Sequence, residues 1–228
     1  MTTIPGEGTM HRDTIDRLLL ALIVATLAAS TIIAWRAPDY FQFSFAAEDR
    51  LVENGTALFL LVASLVLLSN AARLAGRGAR RAAVLTALYA LLFFLAAGEE
   101  ISWGQRIFGW EPGEFFAEHN YQGETNLHNL MVGEVRLAQV LFGSVLTTVL
   151  LLYLVVLPLL YPRVAWLRRV ADALAVPVPG LRHAVLALLA SGVVAVIHVP
   201  RNWEVYELVF ALLATAIFVA PQNPEKTR

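Results

Sequence analysis

The stretch ALFLLVASLVLL, residues 57–68, carries no charge and a single hydroxyl, Ser64. It is the centre of a mostly apolar segment over about 50–70. That is the ~20 residues an α-helix needs to cross the roughly 30 Å of hydrocarbon in a bilayer. Working outward, comparable segments fall at roughly 17–36, 82–103, 136–160, 182–199 and 203–220. The sequence therefore predicts an all-α polytopic membrane protein, a six-helix transmembrane bundle forming one integral domain over 1–228. Composition agrees: 58% of residues are hydrophobic, 15% are charged, and the mean hydropathy is +0.63, where soluble domains are about 25% charged. The apolar run of the first segment continues through TIIAW (31–35). That is longer than the roughly 7–15 residues of a signal-peptide core, so an uncleaved anchor is expected.

Arginine and lysine set the orientation. With the N-terminus inside, Arg12, Arg17, Arg73, Arg77, Arg80, Arg81, Arg163, Arg168, Arg169, Arg182, Lys226 and Arg228 are cytoplasmic. Arg36, Arg50, Arg106, Arg136 and Arg201 are outside, so the 17 basic residues divide twelve to five. Both termini are expected in the cytoplasm. The net charge of −1 excludes a nucleic-acid partner that needs a basic field, and the absence of cysteine excludes disulfides, a thiolate nucleophile and a Cys metal site.

Two connections are more than turns. PRVAWLRRVADALAV (162–176) sets Trp166, Val170 and Leu174 beside Arg168 and Arg169, the pattern of a helix lying on the inner leaflet. The outer loop, about 104–135, is long and holds Phe108, Trp110, Phe115, Phe116 and Tyr121. Long ordered loops tend to be functional, although an aromatic belt at the membrane edge needs no function.

Polar residues collect on the outer side. Glu48, Asp49, Glu53 and Asn54 open the second segment, and Glu99, Glu100 and Gln105 close the third. His119, Glu124, His128 and Asn129 lie in the loop; His198 closes the fifth segment; Arg201, Asn202, Glu204 and Glu207 open the sixth. Carboxylates at a helix N-terminus are favoured by about 0.3–1 kcal/mol, which accounts for Glu48, Asp49 and Glu204 without a site. Glu53 and Glu207 lie deeper and can serve as interhelical hydrogen-bonding groups. Glu99 and Glu100 are different. They sit at a helix C-terminus, where the dipole opposes negative charge, and they project about 100° apart, so one face cannot hide both. Arg50, Arg106, Arg201, a protonated histidine or a metal ion would compensate them. The structural rival is an Arg–Glu clamp that pins the loop.

Imidazole and carboxylate without thiolate suit zinc, iron or manganese. The expected ion ligands are His128, His198 and one of Glu99 or Glu53, with Glu100 as general base on the bound water. Glu124, Asn129, Arg106, Arg201, Glu204 and Glu207 are expected to support the site or bind substrate. If TNLHNL (125–130) is helical with Thr125 as its cap, Glu124 and His128 share a face. The chain contains no H-E-x-x-H, G-x-S-x-G, P-loop or dinucleotide fingerprint, and no serine–histidine pairing is visible around Ser44, Ser102 or Thr125.

GEEISWGQRIFGW (98–110), followed by QGETNLHNL (122–130), resembles a segment recurring in bacterial polytopic membrane proteins of uncharacterised activity. The resemblance covers about 97–131 and implies the bacterial inner membrane. EDRLVENGTALF (48–59) and HVPRNWE (198–204) are loosely similar to segments of the membrane hydrolases that include alkaline ceramidases and adiponectin-receptor-like proteins. That family has seven spans and a three-histidine zinc, and no residue is carried over from it.

The functional expectation is a metal-dependent hydrolase or transferase acting on a lipid or lipid-linked substrate at the outer leaflet. Two alternatives stand beside it. One is an assembly subunit whose outer loop docks a periplasmic protein. The other is a transporter component binding a cation or cationic substrate, against which the inner halves of the segments are nearly pure Leu, Val and Ala.

Overall fold

The computed structural model describes residues 7–137 and 144–228. The principal helices are α1 (Glu7–Arg36), α2 (Leu51–Gly76), α3 (Arg80–Glu100), α4 (Ser144–Leu151, prolonged by the π-helical turn Leu152–Val156 and by Leu157–Leu160), α5 (Ala165–Ala173), α6 (Leu181–Val196) and α7 (Asn202–Val219). Each of the six predicted apolar segments falls on a helix. Four helices are long and apolar enough to cross a membrane: Met10–Arg36, Leu51–Gly76, Arg80–Glu100 and Asn202–Val219. The other two, Val145–Leu160 and Leu181–Val196, are shorter. Of the predicted segment 136–160, residues 138–143 lie outside the described residues. The third segment ends as a helix at Glu100 rather than at 103, because the chain turns left-handed at Ser102.

The core is built around α7. Val205, Leu208, Val209, Leu212, Leu213 and Ile217 are buried, and its alanines 211, 214 and 216 let neighbours approach closely. It packs against α2, α1 and α6, while α3 packs on α2. α7 approaches α2 closely at Gly55, where a Cβ would lie 3.1 Å from Leu208 Cδ1. Side-chain hydrogen bonds tie neighbouring helices: Asn70 Nδ2 donates to the Phe218 carbonyl at 3.0 Å, and Ser64 Oγ to the Ala90 carbonyl at 2.8 Å. Such bonds matter where apolar helices have no competing water.

At the end of the bundle where α1 starts, polar groups close the structure. Asp16 accepts from Arg182 Nε at 2.7 Å and lies 3.1 Å from His183 Nε2. The Gly180 N–H donates to His183 Nδ1 at 2.9 Å, which leaves the ring proton on Nε2, facing Asp16. Asn223 accepts the Val178 N–H at 2.9 Å and donates to Asp172 and to the Val176 carbonyl, each at 3.1 Å. Arg12, Arg182 and Arg228 donate to the last carbonyls of α7, at Val219 and Ala220, the end that favours cations. The predicted surface helix is present as α5. It docks through Ala171 and leaves Trp166 and Val170 exposed, as does Leu174 beyond its end.

At the other end, residues 101–137 form a folded loop with the short helices Gln105–Phe108 and Glu114–His119 and a two-stranded hairpin, Met131–Val132 with Val135–Arg136. The expected helix over TNLHNL is absent. Residues 121–130 run through turns closed by a bridge between Asn120 and Leu130, because asparagine side chains satisfy the backbone there.

Candidate functional site

Three consecutive left-handed residues, Ser102 (φ 47°), Trp103 (φ 55°) and Gly104 (φ 80°), reverse the chain just past α3. The turn brings Trp103 back over Gly98, where a Cβ would lie 2.7 Å from the indole, and Nε1 donates to Glu99 Oε1 at 3.0 Å. It also aims Arg106 into the gap between α2 and the loop.

Arg106 is the hub of the loop. Its Nε donates to Asp49 at 2.8 Å, Nη2 to Glu53 at 2.8 Å and Nη1 to Glu124 at 2.5 Å. One planar guanidinium thus joins three carboxylates from two distant segments. Burial opposes its charge, yet the hydrogen bonds and attraction from Glu124 and Glu53 outweigh this and hold its pKa above the usual value. The second oxygen of Glu124 accepts from Ser102 Oγ at 2.7 Å and from Asn126 Nδ2 at 2.9 Å. Asn120 Oδ1 accepts the N–H groups of Gln122 and Glu124, and its amide donates to Asn126. Gln105 Oε1 accepts the Thr125 N–H at 2.7 Å. Glu53 also accepts the Asp49 N–H.

The adjacent glutamates part company, as a 100° step dictates. Glu99 turns to the loop, where Oε2 accepts the Leu127 N–H at 2.5 Å and lies 3.8 Å from His128 Nδ1. Glu100 turns towards α7. There Glu100, Glu204 and Glu207 offer oxygens that all lie within 4.8 Å of one another. Among the described residues these three make no hydrogen bond or ion pair with another side chain. Glu204 and Glu207 are one turn apart on α7, and Gly55 brings that helix close to α2 beside Glu53.

Among the described residues the expected ligands, His128, His198 and one of Glu99 or Glu53, are not brought together as a group of three within ligand distance, although His128 Nδ1 and Glu99 Oε2 lie 3.8 Å apart. His128 Nε2 is 3.1 Å from Asn129 Nδ2, so its ring is used within the loop, and Asn129 also donates to Gln122. His198 precedes α7 in the turn that ends at left-handed Arg201, and its Nδ1 lies 3.0 Å from the Val196 carbonyl. Glu53 is committed to Arg106. Glu124 is buried in the hub and shares no helical face with His128. Arg201 pairs with Glu48 at 3.0 Å, and Glu48 accepts from Gln122 at 3.1 Å. Glu99 has a structural partner set, so of the two expected catalytic carboxylates it is Glu100 that joins the acidic cluster. An all-oxygen donor set suits magnesium, calcium or manganese.

Sequence reading missed Ser102, Asn120 and Asn126. The recurrent asparagines of NYQGETNLHN (120–129) were the available signal, since asparagine is a turn former that bonds its own backbone. No family model, curated protein or solved structure matches the chain.

Proposed function

We propose that the chain is a bacterial inner-membrane protein with six crossing segments and both termini in the cytoplasm, and that its outer end carries a divalent-cation site. The site is formed by Glu100, Glu204 and Glu207 and acts in hydrolysis or group transfer on a lipid or lipid-linked substrate. The observation that carries this reading is the gathering of three carboxylates, from helices a hundred residues apart in sequence, within 4.8 Å. Like charges so close raise one another's energy, and a cation is the simplest group that relieves all three at once. A cation held there would polarise a phosphoryl or carbonyl oxygen and lower the pKa of bound water. The latched loop would shield the site from bulk water, and Arg106, held by its three acids, would keep that cover in place.

The test is manganese binding by the detergent-purified chain, followed calorimetrically, beside Glu100→Gln and Glu207→Gln. The reading expects near-stoichiometric binding that weakens at least tenfold in each variant. Undiminished binding in both would remove the triad as the site.

A second reading is favoured by one observation. Phe108, Phe115 and Tyr121 are more than half exposed on the same hydrogen-bonded loop, at 79%, 57% and 61%. A rigid loop presenting aromatics is a docking surface for a periplasmic protein. Co-purification lost in Phe108→Ala and kept in Glu207→Gln would favour it over the cation site.

A further inference from the structure

We infer that the lateral cavity between α4, α6 and the start of α7 holds an acyl chain of an anionic phospholipid, with the phosphate at the rim beside His198 and Arg201. The choice of a lipid rests on the reading above, in which this end meets the outer leaflet. The geometry itself does not depend on the carboxylate cluster.

The cavity has a volume of about 600 Å³. Leu151 of α4, Val194 and Ala195 of α6, and Trp203 and Tyr206 of α7 supply much of its wall. Leu151 also lines a second cavity of about 300 Å³, which continues inward past Val155 and Leu188. From residue 196, the end of α6, to residue 188 the helical rise is about 12 Å, a length suited to an extended stretch of hydrocarbon chain. The gap has a structural origin. The π-helical turn Leu152–Val156, just before Pro158, widens α4 and offsets its outer half from α6.

Polar groups lie along the outer part of the cavity. Ser191 Oγ donates to the Ala187 carbonyl at 2.9 Å, so the 3.2 Å contact with Tyr206 is donated by the phenol. The Tyr206 oxygen keeps its lone pairs for a ligand. With His198 Nδ1–H donating to the Val196 carbonyl, Nε2 is the ring nitrogen left at the rim, an acceptor in the neutral ring, so donation to a phosphate falls to Arg201. Among the described residues, no Asp or Glu lines either cavity. Glu204 and Glu207 sit on the flank of α7 that faces α3, about 100° round from Trp203 and Tyr206 respectively. Arg201 spends Nη2 on Glu48, and a guanidinium has five donors, so it can also meet a phosphate. An apolar slot with hydrogen-bonding groups at its rim, the adjoining Arg201 between the lining residues Pro200 and Asn202, and no acid among its described lining residues is complementary to an anionic lipid. A slot of this kind at membrane depth stays dry and is filled by hydrocarbon.

The experiment places the full chain in vesicles with phosphatidylglycerol carrying a diazirine on its acyl chain, and maps the crosslinks by mass spectrometry. Crosslinks at Leu151, Ala195 and Tyr206 should exceed those at exposed Leu58 and Leu88 at least fivefold. Ala195→Trp, which fills the slot, should bring them down to that background with thermal unfolding and manganese binding unchanged. Phosphatidylcholine with the same tail should label less than phosphatidylglycerol, and His198→Ala with Arg201→Gln should erase the difference. Uniform labelling over all exposed apolar positions would overturn the site, as would labelling indifferent to Ala195→Trp. Equal labelling by the two lipids would overturn the headgroup assignment. Failure of manganese to bind would remove the cation reading and leave the crosslink pattern as expected.

Discussion

The two ends of the bundle use the same residue types and reach opposite results. At the α1 end, Asp16 is met by Arg182 and His183, Asp172 by Tyr161 and Asn223, and the last carbonyls of α7 by arginines. At the other end Arg106 and Arg201 compensate Asp49, Glu53, Glu124 and Glu48, and Glu100, Glu204 and Glu207 meet one another. Clustered carboxylates alone therefore say little. What separates a joint from a candidate site is whether the surrounding chain supplies the opposite charge.

Removing a hub should break the comparison most severely. Arg106→Ala leaves three carboxylates facing one another, and with the arginine side chain 21% exposed the loss should be about 3 kcal/mol, the lower end for a broken buried pair. Thermal unfolding in detergent, with proteolysis of the 105–130 loop, reads it; an unchanged melting temperature would show that the loop does not rely on the hub. Asp16→Ala should cost about 2 kcal/mol by leaving the fully buried His183 N–H unpaired, while manganese binding persists. Loss of binding there would mean the two ends are coupled.

Gly98→Ala tests the latch more gently. The new methyl must displace the Trp103 indole from Glu99, for about 1–2 kcal/mol, the range of modest overpacking. Indole fluorescence should shift with it, and an unmoved spectrum would show that the turn absorbs the methyl. Glu207→Gln sharpens the contrast by doing almost nothing to stability, within about 0.5 kcal/mol or slightly stabilising, because it removes a like charge and breaks no pair. A loss above about 1.5 kcal/mol would reveal a structural role for this carboxylate.

The helices were legible because hydrocarbon permits so few alternatives: an uncharged run such as 57–68 has one stable form there. So was the surface helix at 165–173, where Trp166 and Val170 lie on the side opposite Arg168. The gathering of acids at one membrane edge was visible once orientation was assigned, and the parting of Glu99 from Glu100 followed from helical geometry. What could not be read was which acids meet. That depends on α7 lying centrally between α1, α2 and α6, a matter of packing between segments far apart in sequence. The histidines misled because their type suggests ligation, while His128 sits inside a turn whose conformation is set by asparagines and left-handed residues. A left-handed tryptophan such as Trp103 leaves no mark in composition or periodicity.

The central place of α7 has a consequence in time. Synthesis proceeds from the N-terminus, and membrane helices are delivered in that order. α1 packs on α7 and α6, and the α2–α3 pair packs on α7, so α1 and that pair are joined chiefly through a segment made after both. Until α7 arrives they are guests of the lipid, each with a groove filled by hydrocarbon. The birth of the carboxylate cluster is then simultaneous with closure of the bundle. Shortening α7 should abolish assembly in one step instead of weakening it by degrees.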